Sequence, residues 1–165
     1  MKITHYAHST FGIEIKGINI LVDPFITGNE KLEGKVDVDA LKADYILLTH
    51  AHQDHTLDAE SIAKRTGAVI VSNFEITTHY ENKGLEVHPM NHGGNWSFEF
   101  GNLKYVNAVH TSSFPDGSYG GQPGGFVIEG EHKNIYIAGD TALTMDMKLI
   151  PMQTKLDLAI LPIGD

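Results

Sequence analysis

Alternating and continuous apolar runs define the first part of the chain. The stretch FGIEIKGINILVDPF alternates apolar and polar positions from Phe11 and becomes continuously apolar before Asp23 and Pro24. Alternation is typical of a half-buried strand, and a continuous apolar run is typical of a buried one. The pattern predicts a hairpin over residues 11–25 that turns at Gly17. A polar loop over 27–43, with one helical turn, follows it.

Strands and helices alternate through the middle of the chain. Short runs predict three strands, at 44–50, 68–73 and 85–90, and the first two of them are predicted to be buried. Between the first two, a helix is predicted over 56–67, because Leu57, Ile62 and Ala63 share one face and Gly67 is a suitable end. A second helical pattern covers 74–84.

Hairpins dominate the remainder. One is predicted over 96–113 with its turn at Gly101-Asn102, and another over 124–141 with its turn near Gly130. A helix over 142–154, interrupted by Pro151, and a final buried strand over 156–165 complete the pattern. This order of elements predicts an α/β protein built from packed layers.

Composition limits the kinds of binding partner and the cellular compartment that we expect for this protein. The 165 residues carry a net charge of −9, and Lys and Arg form no cluster, which argues against a nucleic-acid partner. There is no cysteine, so disulfides and thiolate metal sites are excluded. No run approaches the ~18 apolar residues of a membrane span, and the N-terminus lacks an apolar leader. We predict a single domain over 1–165 that works in the cytoplasm, away from membranes.

A dense group of ligand-type side chains follows the strand at 44–50. The stretch LLTHAHQDHT holds His50, His52, Asp54 and His55 within six positions. In an extended chain His50 and His52 face the same side, whereas Asp54 and His55 follow where the chain bends. This spacing suggests two adjacent metal ions bound by nitrogen and oxygen donors. The alternative is a histidine-rich surface loop in which Asp54 caps the next helix.

The motif THAHQDH resembles the T-H-x-H-x-D-H signature of the metallo-β-lactamase superfamily. NAVHTSS places His110 after a later strand, and IYIAGDT places Asp140 after another, in the order of that family's ligand motifs. The opening HYAHSTFGIEIKGINILVDPF and the stretch GGQPGGFVIEG resemble one branch, the small UPF0173 metal-dependent hydrolases related to the ascorbate-phosphate lactonases. The resemblance implies an αββα sandwich.

The same resemblance implies a set of metal ligands. The first metal would be held by His50, His52 and His110, the second by Asp54 and His55, and Asp140 would bridge the two. The family supplies one more histidine to the second metal, and this chain has no histidine after His132. We therefore expect a chain that lacks the C-terminal part of the family, with the second half of the sandwich incomplete and a weak second site. Two divalent cations are expected, with zinc ahead of manganese or iron.

The implied reaction is hydrolysis by a metal-bound hydroxide. The substrate would be a small molecule with an ester, lactone, amide or phosphodiester bond, and Asp54 and His8 would be the catalytic side chains. Three alternatives stay open: a nuclease or phosphodiesterase of the same fold acting on RNA, a non-catalytic metal-binding module, and a di-iron oxidoreductase. Self-association also stays open, because an incomplete core would expose apolar surface.

Several residues near the motifs allow two interpretations. Asp23 either supports the ligand loop or forms the turn before Pro24. The loop TSSFPDGSYGGQPGG is either a lid, with Ser112 or Tyr119 on the substrate, or a plain connection. Trp96 is expected in the core, and His92 is a weaker candidate for the substrate pocket.

Overall fold

The computed structural model describes residues 1–164 and arranges their strands in two sheets. The first sheet has the order β1 to β6, and its strands are β1 (Lys2–Ala7), β2 (Thr10–Ile15), β3 (Ile18–Val22), β4 (Tyr45–Leu47), β5 (Val69–Ser72) and β6 (Val87–Pro89). Its first three strands are antiparallel neighbours, and β3 to β6 pair in parallel.

The second sheet contains the hairpins of the later sequence. Its order is β11, β10, β9, β8, β7, and its strands are β7 (Asn95–Phe98), β8 (Gly101–Asn107), β9 (Gly124–Gly130), β10 (Lys133–Ile137) and β11 (Leu158–Ile160). All neighbours are antiparallel except β10 and β11.

The helices are short and lie outside the sheets. They are α1 (Gln53–Thr56), α2 (Ala59–Thr66), α3 (Phe74–Glu81) and α4 (Leu149–Gln153), with 3-10 turns at Val38–Ala40 and Met145–Lys148. Among residues 1–164, no helix has the length and apolar character that a bilayer crossing requires.

Three apolar layers hold these elements together. Side chains such as Leu47, Phe100 and Phe126 fill the space between the two sheets. On the outer face of the first sheet, Ile62 of α2 and Ile76 of α3 pack into a second cluster. A smaller cluster that includes α4 covers the second sheet. The αββα arrangement expected from the sequence is therefore confirmed, and each fully buried aliphatic or aromatic side chain contributes about 1.5–3 kcal/mol.

Turn chemistry accounts for the elements that the sequence predicted well. The hairpin of β2 and β3 turns at Lys16 and Gly17, and α2 ends at Gly67; both glycines have positive φ, 80° and 75°. These backbone angles suit glycine because it has no Cβ. The helical turn in the polar loop is the 3-10 turn that begins after Asp37. Strand β1 was not predicted.

The predicted turn at Gly101-Asn102 was wrong. Phe98 pairs with Gly101, so the turn consists of Glu99 and Phe100, and Phe100 is fully buried. Gly101 instead lies in the ladder, where a Cβ would come within 2.1 Å of the Glu129 carbonyl oxygen. Glycine at this position permits the close approach of β9 and does not mark the turn.

Three predictions near the surface also need correction. Pro151 does not interrupt the last helix but lies in the first turn of α4, where proline costs no internal hydrogen bond. The final strand covers only Leu158–Ile160 and is not buried, since Leu158 is 41% exposed. Trp96 lies on the surface of β7 with 57% exposure and not in the core. The C-terminal residue of the predicted strand, Asp165, lies outside the described residues.

Candidate metal centre

The ligand loop leaves the C-terminal end of β4 and remains extended through His52. His52 has extended backbone angles and immediately precedes α1. Asp54 therefore lies in the first turn of α1, and no side chain caps this helix. The alternative role of Asp54 as a helix cap is not what the structure shows.

A first cluster contains three imidazoles. One nitrogen from each of His50, His52 and His110 lies within 4.8 Å of the other two. Nε2 of His50 is 3.0 Å from Nδ1 of His52, and the ring of His110 lies about equally near both, with centroid distances of 5.1 and 5.2 Å. His110 comes from the segment after β8, so the cluster joins the two sheets.

A second cluster lies beside the first. It contains Asp54, His55 and His8, whose ligand atoms lie within 4.8 Å of one another. Oδ2 of Asp54 is 3.0 Å from Nε2 of His8 and 3.9 Å from Nε2 of His55.

Asp140 lies between the two clusters. Its Oδ2 is 3.4 Å from Nε2 of His55 and 3.8 Å from Nε2 of His110. Asp140 follows β10, and the preceding Gly139 has a φ of 64°, with space for a Cβ blocked by Thr49 at 2.7 Å. Glycine at 139 therefore allows the carboxylate to reach the ligand loop. The structure thus brings all six sequence-predicted ligands together, with His8 beside them.

Asp23 orients a ring in each cluster. Its Oδ2 accepts from Nδ1 of His55 at 2.9 Å and from the Thr49 hydroxyl at 2.7 Å. Because the Thr49 proton goes to Asp23, its Oγ1 accepts from Nδ1 of His50, 3.0 Å away. Nε2 of His50 and Nε2 of His55 are then the ring nitrogens left to bind a cation, as is usual for metal-binding histidines whose other ring nitrogen is hydrogen-bonded. The structure therefore favours the interpretation that Asp23 supports the ligand loop over the interpretation that it only forms the turn before Pro24.

The side chains of the centre differ in protonation, because burial and neighbouring charges shift their pKa values in different directions. Burial, with help from neighbouring His55 and His52, lowers the pKa of His50 to about 2. Burial also lowers the pKa of His52. Burial acts in the same direction on His55, but the carboxylates of Asp23 and Asp140 outweigh it and raise its pKa to about 10. The neighbouring His55, whose Nε2 lies 3.4 Å from the carboxylate, lowers the pKa of Asp140 to about 2. In the metal-free protein, His50 and His52 are therefore neutral, whereas His55 is protonated between the carboxylates of Asp23 and Asp140.

The donor set fits a divalent cation. Nε2 of His55 is buried and has no hydrogen-bond partner among the described residues, although two carboxylates face it. A buried nitrogen without a partner is costly, and a cation there would satisfy it. Imidazole and carboxylate donors suit zinc, manganese and iron alike, so the donor set does not choose among them.

The loop after His110 is fixed to the ligand loop. The Ser112 hydroxyl accepts from the backbone N–H of Ala51 at 3.1 Å and donates to the Gly120 carbonyl at 3.0 Å. A Cβ on Gly120 would come within 2.2 Å of Ala51. Ser112 is nearly buried and holds the loop in place, a role that no sequence signal indicated. Tyr119 is 68% exposed.

An open cavity of about 750 Å³ adjoins the centre. Its lining includes His8, His110 and Asp140 together with apolar side chains such as Phe11 and Leu161. His92 is not part of it. Its ring faces the Pro123 carbonyl at 2.8 Å and lines a different cavity, against α4, so His92 does not contact the cavity beside the centre.

Comparison with known proteins gives a consistent result. The family model described as the Beta-lactamase superfamily domain matches residues 18–165. A UPF0173 metal-dependent hydrolase of Christiangramia forsetii is 79% identical over the whole chain, which spans 73% of that relative. A protein of the same name from Flavobacterium johnsoniae is 71% identical with the same coverage. Among solved structures, a metallo hydrolase from the archaeon Ignicoccus hospitalis matches with a TM-score of 0.87 and 33% identity, over 99% of this chain and 70% of that one.

Proposed function

Because the chain belongs to the beta-lactamase superfamily and, within it, to the UPF0173 metal-dependent hydrolases, we propose that it hydrolyses a small molecule with the help of divalent cations. The bond cleaved is an ester, lactone, amide or phosphodiester. In this proposal, residues 1–165 belong to one domain. The observation that carries the proposal is the convergence of three overlapping groups of ligand atoms, each within 4.8 Å, where the two sheets meet.

The ligands divide between two cations. His50, His52 and His110 bind the first, Asp54 and His55 bind the second, and Asp140 lies where it can bridge them. Zinc is the preferred ion, with manganese or iron as alternatives. Cations bound in this way would acidify water and polarise the bond to be cleaved.

Asp54 and His8 are the side chains proposed to handle protons. Their 3.0 Å hydrogen bond lets a proton pass between carboxylate and imidazole. Both side chains are partly open to solvent, at 46% and 40% exposure, so the pair can exchange protons with water, and His8 also lines the cavity. Imidazole is suited to this role because its ordinary pKa lies near neutrality.

The cavity supports a small substrate over RNA. Among the described residues, its lining contains no Lys or Arg, whereas a nucleic-acid groove needs cations along the phosphate backbone. Apolar side chains such as Phe11, Val109 and Leu161 supply much of the lining. Pockets of this kind favour compact organic substrates.

The test is a chelator-sensitive hydrolysis assay on aryl esters, lactones and a phosphodiester, with added zinc or manganese. His52→Ala should lower kcat/KM by at least about a thousandfold while the domain remains folded, because a metal ligand is lost. His132→Ala, on the exposed turn between β9 and β10, is the matched control and should retain the wild-type rate. Tight metal binding without turnover of any substrate class would instead favour a non-catalytic module.

A further inference from the structure

His8 holds an unusual backbone conformation next to the centre. It lies between β1 and β2 with a φ of 52°, in the left-handed region that few residues other than glycine adopt. The pairing of the two strands shifts register at this point, between His5 and Ala7. This geometry directs the imidazole to Asp54, 46 residues away in sequence. Strained conformations of this kind concentrate at functional sites.

The surroundings of His8 hold its ring against the second cluster. Its ring centroid is 5.0 Å from that of His55 and 6.0 Å from that of Phe25, both in edge contacts. An exposed ion pair with Asp54 would by itself contribute little to stability. It would also leave the buried Nε2 of His55 without a partner.

We propose that His8 is the third protein ligand of the second cation, together with Asp54 and His55. Two imidazoles and one carboxylate are a common catalytic zinc set that leaves room for water. Ligand atoms bound to one cation at ~2.0–2.2 Å lie up to about 4.4 Å apart. The three atoms, all within 4.8 Å, therefore need only small side-chain movements to share one ion.

This inference rests on the proposed metal centre and deepens it. The second site gains a ligand from the β1–β2 turn, so the weak second site expected from the sequence is replaced by one with three protein donors before Asp140 is counted. Because ligation and proton transfer both use Nε2 of His8, the two roles exclude each other. Where the second site is loaded, the ligand role of His8 therefore replaces the proton-transfer role proposed above.

Zinc titration of the purified chain against a chromophoric chelator tests the assignment, with cobalt absorption spectra as a second readout. Wild type should bind two equivalents. His8→Asn should leave the first unchanged and weaken the second by at least about 10–100-fold, since losing even an outer partner of a ligand costs that much. Asparagine tolerates the left-handed backbone, so this variant separates loss of the imidazole from loss of the turn. His8→Asp, which supplies a carboxylate donor in place of the imidazole, should recover much of the affinity.

Three results would overturn the assignment, and they differ in what else they affect. Equal second affinities in wild type, His8→Asn and the control His132→Ala would remove His8 from the site and leave the proposed function intact. A wild-type protein that binds only one equivalent would remove the second site. A wild-type protein that binds no cation would overturn the proposed function as well.

Discussion

Replacement of Asp23 by asparagine tests how the centre is organised. Asp23 is 1% exposed and accepts three hydrogen bonds, from the Thr49 N–H, the Thr49 hydroxyl and Nδ1 of His55. Its φ of 44° is one that asparagine also tolerates. The substitution therefore changes the side-chain chemistry and not the turn.

The magnitude follows from which bonds survive. The amide oxygen can still accept from the Thr49 N–H, but the amide NH₂ faces Nδ1–H of His55, donor against donor. A hydrogen bond to a charged group is worth about 1.5–3 kcal/mol, and an unsatisfied buried donor costs about 1–3 kcal/mol. We expect a loss of about 3 kcal/mol in the free energy of unfolding. The contact between these two donors is relieved if the proton of His55 moves from Nδ1 to Nε2. Because Nε2 is the nitrogen that binds the cation, this shift should lower the affinity of the second cation site by about 10–100-fold.

Urea denaturation in the presence of a chelator measures the first quantity, and zinc titration measures the second. Asp39→Asn, at an exposed aspartate, is the matched control and should change unfolding by less than about 0.5 kcal/mol. Unfolding of Asp23→Asn within about 1 kcal/mol of wild type, together with unchanged affinity for the second equivalent, would show that Asp23 does not organise the centre.

Two further predictions concern the same region. In the metal-free protein the pKa of His55, raised to about 10, lies above its unfolded value of about 6.5, so stability present below pH 6.5 should be lost as pH rises toward 10. The slope should be at most about 1.4 kcal/mol per pH unit and should flatten in Asp140→Asn; identical pH profiles of urea unfolding in the two proteins would contradict this. Ser112→Ala should cost about 1–3 kcal/mol in urea unfolding and weaken zinc binding roughly tenfold, because the Ala51 N–H loses its buried acceptor. Ser118→Ala, in the exposed part of the same loop, should change neither, and equal behaviour of the two serine variants would remove Ser112 from this role.

Local patterns in the sequence were sufficient to predict many elements of the fold. Alternation located the hairpin of β2 and β3, and Gly67 located the end of α2, because both signals depend on neighbouring residues alone. The turn at Glu99 and Phe100 was missed for the opposite reason. Gly101 is a turn-type residue by composition, but the approach of β9 fixes its position, and that contact is long-range.

In the candidate centre, too, some features could be predicted from neighbouring residues, whereas others depend on long-range contacts. The motif around His50 is compact, so its metal ligands can be recognised from the sequence alone. The resemblance named His8, but nothing local indicates that its ring meets Asp54, because that depends on a left-handed turn and on the packing of β1. The bridging role of Ser112 likewise depends on a contact across 61 residues.

The cluster of His50, His52 and His110 takes donors from segments that follow β4 in one sheet and β8 in the other. An ion held there would act as a crosslink between two layers that are otherwise joined by apolar packing. Local opening of this edge would then require breaking coordination bonds as well as separating side chains. Amide hydrogens at the ends of these strands should accordingly exchange with solvent more slowly in the metal-bound protein than in the metal-free one. The rate of local opening at this edge would then depend on whether the ion is bound.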